Sequence, residues 1–393
     1  MKHIEILSEM KKGFEKIYGK DGDIRYYFSP GRVNLIGEHT DYNGGHVLPC
    51  ALDIGTYAIA KKRDDRQLHF YSLNFPKLGI ESSLDELTPD EASDWANYPK
   101  GVMWAFEERG MKIPSGIDFY IFGTIPNGSG LSSSASLEVL TGLILRDMFD
   151  FEVSNKELAL IGQYAENNFN KVNSGIMDQF AISMGKADSA IFLRTDDLRW
   201  NYVPFELNNI SLLITNTNKK RKLTDSKYNE RREECEEALK RIQRIKHVDN
   251  LCDLSIFEFE KYKFTIADED LIKRARHVVY ENARTIDACT ALKNGDFQKF
   301  GKMMYDSHNS LKDDFEVTGL ELDTLVLAAS IQEGVLGSRM TGAGFGGCTI
   351  TLIETDKVEK FKTDVQDLYT ATVGYPCSFY EVSIGDGPRR IEM

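Results

Sequence analysis

The sequence lacks several features that would assign it at once to a common class of protein. No apolar run in its 393 residues is long enough to cross a bilayer, so no membrane-spanning helix is expected. Its six cysteines include no Cys-x-x-Cys pair and no nearby histidines, which argues against a zinc site and a disulfide framework. Acidic residues outnumber basic residues, and the formal charge of -13 does not suit binding to nucleic-acid phosphates. These absences favour a cytoplasmic protein that binds small molecules, with neither nucleic-acid nor membrane partners.

The chain is longer than the size at which one hydrophobic core usually stops growing, so we expect two domains with a cleft between them. Its first ten residues mix charged with apolar side chains, which predicts an amphipathic helix and not a secretory signal. β-branched and aromatic segments bounded by turn residues predict strands at 25–29, 56–63, 68–72, 118–124 and 211–215. Helical spacing of apolar residues predicts helices at 131–149, 155–170, 176–185, 225–245, 267–294, 296–312 and 319–333.

The carboxyl-terminal part adds two strands, predicted as a pair at 348–354 and 378–383, around a helix at 357–368. Because strands and helices do not alternate regularly along the chain, the pattern predicts an α+β fold and not a doubly wound parallel sheet. A second series of strands is predicted to begin near Phe205. The predicted domains are therefore residues 1–205 and 206–393, and the last strand of the second is expected to pack back on the first.

A loop rich in glycine and serine at residues 123–136 is the strongest chemical signal in the first domain. A strand is predicted before it and a helix directly after it, so backbone N–H groups and the positive helix end would face an anion. The loop lacks the Gly-Lys-Ser/Thr ending of a Walker A motif and the third glycine of a dinucleotide-binding loop. It therefore predicts a phosphate site of another kind, with an ordinary turn and helix cap as the alternative.

A second glycine-rich loop, residues 340–347, has four glycines within six positions just before the predicted strand 348–354. Ordering a glycine costs about 0.5–1 kcal/mol relative to alanine, so the cluster indicates unusual backbone dihedral angles or a close approach. The sequence leaves a β-bulge and a turn at a domain contact open as simpler alternatives.

Residues 29–46 concentrate polar and charged side chains among four glycines and a proline. Carboxylate acceptors and imidazole donors on such a loop suit a ligand with many hydroxyl groups, such as a sugar. A zinc site formed by three of these residues is the alternative, although their spacing matches no standard zinc pattern. The candidate sugar ligands are Arg32, Glu38, His39, Asp41, Asn43 and His46, and the alternative zinc ligands are His39, Asp41 and His46.

Two carboxylates in predicted helices add to the candidate site. Asp178 lies about one turn inside an apolar helix, where the helix dipole favours a negative charge that can accept a hydroxyl proton. Gly175, just before it, would allow a ligand to approach closely. A capping carboxylate is the simpler interpretation of Asp178. Glu166, in the preceding helix, is either a solvated surface residue or a metal ligand.

Together these segments resemble the galactokinase branch of the GHMP small-molecule kinases over essentially the whole chain. Three motifs occur in the family's order and spacing: Gly-Glu-His-Thr-Asp-Tyr-Asn-Gly-Gly at 37–45, the loop at 128–136 and the glycine cluster at 340–347. The resemblance implies two α+β domains, the first like domain 2 of ribosomal protein S5 and the second ferredoxin-like, with both substrates in the cleft. It also implies a kinase that uses ATP and Mg²⁺ to phosphorylate the anomeric hydroxyl of galactose. Separately from the resemblance, we expect a cytoplasmic monomer.

The resemblance implies roles for individual residues as well. Asp178 would face the anomeric hydroxyl as base or orienting group, and Arg32 beside it would stabilise charge on the transferring phosphoryl group. The implied sugar-binding residues are Arg32, Glu38, His39, Asp41, Gly175, Asp178 and Tyr228. The implied nucleotide-binding residues are Trp95 and Tyr98 near the adenine and, around the phosphates, Gly128, Ser129, Gly130, Leu131, Ser132, Ser133, Ser134 and Ala135. The implied magnesium ligands are Ser134 and Glu166.

Two positions depart from the family pattern: Ser174 stands where a cysteine is common beside the sugar, and Arg194 where an aspartate is common. The resemblance leaves open a kinase for a related sugar, such as N-acetylgalactosamine, galactosamine or arabinose. It also leaves open a galactose sensor that uses the same scaffold without turnover, although Ser134, Ala135 and Asp178 are all present. Whether Asp178 removes the proton or only positions the hydroxyl is undecided at this stage.

Overall fold

The computed structural model describes residues 2–76, 79–126, 130–219 and 224–393 of the chain. Strands form where β-branched and aromatic residues run between turn residues, as expected for pleated, half-buried segments. In chain order they are β1 (Ile24–Asn34), β2 (His46–Val47), β3 (Pro49–Lys62), β4 (Gln67–Ser72), β5 (Ile80–Ser83), β6 (Ile117–Gly123), β7 (Ser189–Arg194), β8 (Arg199–Pro204), β9 (Ile210–Asn216), β10 (Val335–Thr341), β11 (Cys348–Glu354), β12 (Ser378–Val382) and β13 (Arg389–Ile391).

Several helices begin at a residue whose side chain accepts hydrogen bonds from the first-turn N–H groups, as Ser154 and Asp268 do. Such caps satisfy donors that have no partner within the helix. In chain order the helices are α1 (Lys2–Tyr18), α2 (Asn97–Glu108), α3 (Ser133–Phe149), α4 (Asn155–Asn168), α5 (Met177–Ser183), α6 (Thr224–Gln243), α7 (Ile256–Tyr262), α8 (Glu269–Lys293), α9 (Phe297–Asp313), α10 (Gly319–Ser330) and α11 (Val358–Val373).

The first sheet has the strand order β13-β1-β3-β6-β4-β5 and is covered by helices on both faces. Side chains alternate between the faces along each strand. On one face, Phe28 and Tyr57 pack with Phe14 of α1. On the other, Tyr27 and Ala58 belong to the core that α2, α3 and α4 complete. The predicted amphipathic character of the first helix is thus confirmed, because α1 buries its apolar side on this sheet.

The second sheet has the order β10-β11-β9-β12 and is antiparallel. One of its faces, through Leu212 and Ile350, shares a core with α8, α9 and the end of β1. The opposite face, through Leu213 and Ile353, packs against α10 and α11. A small third sheet, β2-β7-β8, is formed by strands between residues 46 and 204. The shared core places the end of β1 directly beside the second sheet.

Three predictions about the elements differ from the structure. The segments predicted at 348–354 and 378–383 are strands, but they do not pair with each other, since β9 lies between them. Strands β7 and β8 precede Phe205, so the second series begins earlier than predicted. The sequence analysis also missed α2, which tolerates Pro99 because a first-turn residue needs no N–H partner within the helix.

The division at residue 205 remains a prediction. Strand β13 pairs with β1 in the first sheet, with Tyr26 opposite Ile391, so the carboxyl-terminal part of the chain also contributes to the first sheet. Among the residues that the structure describes, no helix combines the length and apolar character required to cross a membrane.

Candidate active site

A cavity with a volume of about 180 Å³ lies where the two sheets approach each other. Motifs from distant parts of the chain contribute to it: the polar loop after β1, the start of α5, helix α6 and the glycine-rich turn after β10. All seven residues that the resemblance assigns to sugar binding line this one cavity, and Glu166 lines it with them, whereas the other two candidate sugar ligands, Asn43 and His46, do not line it. Those seven are Arg32, Glu38, His39, Asp41, Gly175, Asp178 and Tyr228.

Asp178 is held by two charge-assisted contacts and one hydroxyl. Arg32 donates from Nε to Oδ1 and from Nη2 to Oδ2, each at 2.7 Å, which is the bidentate geometry of a strong ion pair. The hydroxyl of Ser132 donates a further hydrogen bond to Oδ2. Arg32 is buried and Asp178 is partly exposed to the cavity. Asp178 lies in the first turn of α5, closer to the helix start than the sequence analysis placed it.

The predicted phosphate loop reaches this ion pair. Nη1 of Arg32 donates a hydrogen bond to the carbonyl oxygen of Gly130 at 2.9 Å. The backbone N–H of Arg32 donates another to the carbonyl oxygen of Leu131 at 3.4 Å. The predicted order of strand, loop and helix is confirmed, since β6 ends at Gly123 and α3 begins at Ser133. Leu131 and Ala135 are buried in the core beneath the loop. Gly128 and Ser129, both predicted to contact phosphate, lie outside the described residues.

A second cavity, with a volume of about 270 Å³, adjoins the start of α3. The four residues predicted to contact the nucleotide that line it are Trp95, Tyr98, Ser133 and Ser134. Trp95 packs edge-on against Phe70, with ring centroids 6.2 Å apart. Its indole N–H is buried without a hydrogen-bond acceptor in the described part of the protein. A partly apolar cavity lined by the rings of Trp95 and Tyr98 suits a heteroaromatic ring.

Ser134 and Glu166 lie between the two cavities. Ser134 lines the second cavity and Glu166 the first, and their Oγ and Oε1 atoms are 3.5 Å apart. The other carboxylate oxygen of Glu166 accepts hydrogen bonds from Ser174 at 2.5 Å and from Gln179 at 2.8 Å. Burial raises the pKa of Glu166, which these two donors partly oppose. A hydroxyl and a carboxylate are oxygen ligands of the kind that Mg²⁺ prefers, so the pair fits this ion.

The third predicted motif, residues 340–347, requires glycine for its backbone conformation. Gly342, Gly344, Gly346 and Gly347 all have positive φ, between 83° and 122°. A Cβ atom on Gly344 would lie 2.4 Å from the carbonyl oxygen of Val317. The expectation of unusual dihedral angles and close approach is therefore confirmed. The backbone N–H of Gly342 donates a hydrogen bond to Glu38 at 2.9 Å, and this turn forms one wall of the first cavity.

Comparison with known proteins gives one consistent result. Three family profiles match the chain: "Galactokinase galactose-binding signature" at residues 12–62, "GHMP kinases N terminal domain" at 97–186 and "GHMP kinases C terminal" at 288–371. Galactokinase from Fusobacterium nucleatum is 54% identical over 389 residues, which cover 98% of this chain and 100% of the relative. Galactokinase from Clostridium beijerinckii is 53% identical and covers 99% of this chain.

The chain belongs to the galactokinase family. The crystal structure of Lactococcus lactis galactokinase complexed with galactose superposes with a TM-score of 0.96, at 50% identity, over 98% of this chain and 100% of that chain. Mevalonate kinase from Methanococcus jannaschii, at 19% identity and a TM-score of 0.67, shares only the fold. The predicted resemblance and the α+β GHMP kinase fold are both confirmed.

The positions that depart from the galactokinase family pattern have clear partners. Ser174 lines the first cavity, and its hydroxyl donates a hydrogen bond at 2.5 Å to Glu166, the candidate metal ligand. Arg194 pairs with Asp196 at 2.5 Å and lies 3.8 Å from Asp197, both in the turn that follows β7. Neither departure disturbs the group formed by Asp178 and Arg32.

The zinc alternative finds no support in the geometry. His46 lies against Asn282, at 2.9 Å, and stacks on Phe192. The ring of His39 contacts the hydroxyl of Tyr42 at 2.9 Å. Over residues 2–76, 79–126, 130–219 and 224–393, no three His, Cys, Asp or Glu side chains are grouped as metal ligands.

Asp41 and Gly175 lie in direct contact on one side of the cavity. Burial, with the negative charge of Asp178 nearby, raises the pKa of Asp41 to about 7. A Cβ atom on Gly175 would lie 1.8 Å from Oδ2 of Asp41, closer than any two such atoms can approach. The carboxylate position therefore depends on the absence of a side chain at residue 175.

Gly175→Ala is accordingly expected to raise KM for the sugar by about 10- to 100-fold, because displacing packed atoms costs about 1–3 kcal/mol. KM for ATP should change little, since Gly175 does not line the second cavity. Steady-state kinetics with each substrate varied in turn would measure both constants. Gly79→Ala is the matched control, because its added methyl group would meet no atom within 4 Å. An unchanged sugar KM in Gly175→Ala would contradict this account.

The structure adds site residues that the sequence analysis did not select. Gln179 is fully buried and donates from Nε2 to Glu166 at 2.8 Å and to Glu138 at 2.9 Å. Burial, reinforced by the charge of Glu166, raises the pKa of Glu138 well above its ordinary value. A signal for Glu138 was present, because a carboxylate in the apolar sequence of α3 is unusual.

Arg339 is a further missed residue, and it is completely buried. Its Nη1 lies 2.6 Å from Oε2 of Glu38 and 3.3 Å from the carbonyl oxygens of Asn34 and Leu35. Its Nη2 lies 3.8 Å from Glu281. Burial raises the pKa of Glu38, and the positive charge of Arg339 opposes that shift. Arg339, on β10, therefore connects the second sheet to the loop that carries the predicted sugar ligands.

Proposed function

We propose that the chain transfers the γ-phosphate of ATP to the anomeric C1 hydroxyl of α-D-galactose, which gives α-D-galactose 1-phosphate and ADP. The observation that carries this proposal is the position of Asp178. It lies in the wall of the first cavity, paired with Arg32, and it contacts the loop that leads to the second cavity. Membership of the galactokinase family supports the choice of galactose and of ATP.

The proposed chemistry requires alignment and charge stabilisation more than covalent catalysis. The anomeric oxygen forms a bond to the γ-phosphorus while the bond to the bridging oxygen breaks, and ADP leaves with that electron pair. The proton of the anomeric hydroxyl passes to the carboxylate of Asp178. Arg32 keeps this carboxylate in place and supplies positive charge next to the transferring group.

Ser134 and Glu166 would hold Mg²⁺ at the boundary of the two cavities. When bound, the ion would neutralise charge on the phosphate oxygens of ATP. The role of the protein is to present one hydroxyl and one carboxylate, and to fix the carboxylate through Ser174 and Gln179.

Glu166→Gln is expected to weaken metal binding by about 10-fold or more, since even residues that only support a metal ligand change affinity by about 10- to 100-fold. The amide preserves the size of the side chain and removes its charge. Binding of Mn²⁺ in the presence of a non-hydrolysable ATP analogue, followed by electron paramagnetic resonance, would measure the effect without turnover. Glu359→Gln, on an exposed position of α11, is the control. Equal Mn²⁺ affinity in the two variants would exclude Glu166 as a ligand.

The activity itself is tested by ATP consumption with galactose, 2-deoxygalactose, N-acetylgalactosamine, glucose and arabinose. We expect galactose to give the highest kcat/KM, and ³¹P NMR of the product to locate the phosphate at C1. A higher kcat/KM with N-acetylgalactosamine or arabinose would make the chain a kinase for a related sugar. Galactose binding without ATP consumption would make it a sensor. Either outcome overturns the proposal.

A monomeric state and a cytoplasmic location complete the proposal. The negative formal charge of -13 supports a monomer that stays in solution. Light scattering after size-exclusion chromatography would measure the mass in solution.

A further inference from the structure

The hydrogen-bond partners of Asp178 distinguish its two oxygens. An ionised carboxylate offers about four acceptor positions, two on each oxygen. Arg32 occupies one position on Oδ1 and one on Oδ2, and the hydroxyl of Ser132 occupies the second position on Oδ2. Among the contacts of the described residues, Oδ1 therefore keeps one position for a further donor and Oδ2 keeps none.

Ser132 does not have the usual role of a serine at the start of a helix. It immediately precedes α3, where a serine side chain commonly accepts a hydrogen bond from the first-turn N–H groups, but no such bond is present. Its backbone is in the left-handed region, at φ 58° and ψ 50°, a conformation that costs a non-glycine residue about 1–2 kcal/mol. The residue is buried, with 8% of its surface exposed. The unusual backbone conformation accompanies a hydroxyl that is directed at Asp178.

The neighbours of Ser132 explain how this conformation is maintained. Arg32 holds the carbonyl oxygens of the two preceding residues, Gly130 and Leu131. On the other side, the N–H of Ser136 donates to the carbonyl oxygen of Ser132 at 2.9 Å. The turn that carries the hydroxyl and the guanidinium that holds Asp178 are thus parts of one connected group.

We propose that Ser132 is a positioning residue, which fills the last acceptor position on Oδ2 and so leaves Oδ1 of Asp178 as the oxygen that receives the sugar proton. This inference rests on the proposed function of Asp178. In the transfer step the proton moves from the anomeric oxygen to Oδ1 as the new oxygen–phosphorus bond forms, and the electron pair of the broken bond leaves with ADP. Ser132 keeps its own proton throughout. Because its turn belongs to the phosphate loop, the orientation of Oδ1 depends on the same segment that approaches the nucleotide.

Two substitutions at this position separate the hydroxyl from the backbone conformation. Ser132→Ala removes the hydroxyl and keeps the strain, whereas Ser132→Gly removes the hydroxyl and relieves the strain. We expect both to lower kcat by about 10- to 100-fold, because a misplaced reacting group costs on this order. The dissociation constant of galactose, measured by calorimetry, should stay within about 3-fold of the parent value.

A serine one position further along provides the comparison. Ser133 lines the second cavity and has no contact with Asp178 in the described structure, so Ser133→Ala should raise KM for ATP more than it lowers kcat. A fall in kcat for the alanine variant but not the glycine variant at 132 would assign the effect to the backbone and overturn the inference. A loss of galactose affinity as large as the loss of kcat would also overturn the inference. If Ser132→Ala has normal kcat while Asp178→Asn is inactive, only the inference fails; if Asp178→Asn is active, the proposed role of Asp178 fails.

Discussion

Asp178→Asn is expected to lower turnover by about 10³-fold or more, because proton transfer by a positioned base contributes on the order of 10²–10⁴-fold. Asparagine has nearly the same size, but its amide cannot accept the proton of the anomeric hydroxyl. It also presents an NH₂ group to two donors, Arg32 and Ser132, which now hold the carboxylate. Nucleotide affinity should change by less than about 3-fold, since Asp178 does not line the second cavity.

A coupled assay for ADP release would measure turnover, and calorimetry would measure the nucleotide dissociation constant. Asp118→Asn is a suitable comparison, because Asp118, like Asp178, is an aspartate paired with an arginine, here Arg63 at 2.8 Å, but it is buried on β6 away from the cleft. The Asp118→Asn variant should be less stable than the parent protein but have the same kcat. A variant of Asp178 that retains substantial turnover would refute the proposed role.

Arg339→Met is expected to lower the free energy of unfolding by about 3–5 kcal/mol, the usual consequence of removing one partner from a buried ion pair. Two carboxylates, Glu38 and Glu281, would be left in the interior without this cation. Burial alone would raise the pKa of Glu281, but Arg284, His277 and Arg339 outweigh it and bring the pKa to about 2. The loss of Arg339 therefore acts on a carboxylate whose ionised form depends on positive charge nearby.

Urea unfolding followed by circular dichroism would show the loss as a lower midpoint. Arg199→Met is the matched control, because Arg199 also pairs with a carboxylate, Asp197 at 2.5 Å, but is 71% exposed, and such pairs contribute about 0–1 kcal/mol. Equal midpoints for the two variants would contradict the importance of the buried network. Addition of galactose should restore part of the lost midpoint if Glu38 contacts the sugar, by mass action on the folded state.

Elements with a strong local signal were predictable from the sequence. The strand at 348–354 and the helices that became α3 and α9 were found within two residues of their ends, because their apolar spacing is clear. Strand pairing was not predictable in the same way. Ile350 and Tyr380 both lie opposite Ile214 on β9, and nothing in their own segments shows that a third strand comes between them.

The same distinction between a strong and a weak local signal applies to the residues of the site. Residues in chemically distinctive motifs, such as Arg32, Glu38 and Asp178, were selected in advance and lie together in the structure. Arg339 and Gln179 were not selected, because a single arginine or glutamine has no distinctive sequence context. Their importance comes from burial beside carboxylates of distant segments, which only the folded structure brings together.

Strand β13 has a consequence for how the protein is made. Tyr26 of β1 pairs with Ile391 of β13, so one side of the first sheet is completed by residues that leave the ribosome long after β1 does. At a synthesis rate of roughly 5–20 residues per second, about 20–70 s pass between the synthesis of β1 and that of β13. During that interval the nascent chain exposes an open strand edge, which is a template for pairing with other chains. Chaperones that bind extended segments are therefore expected to act on this protein while it is still attached to the ribosome.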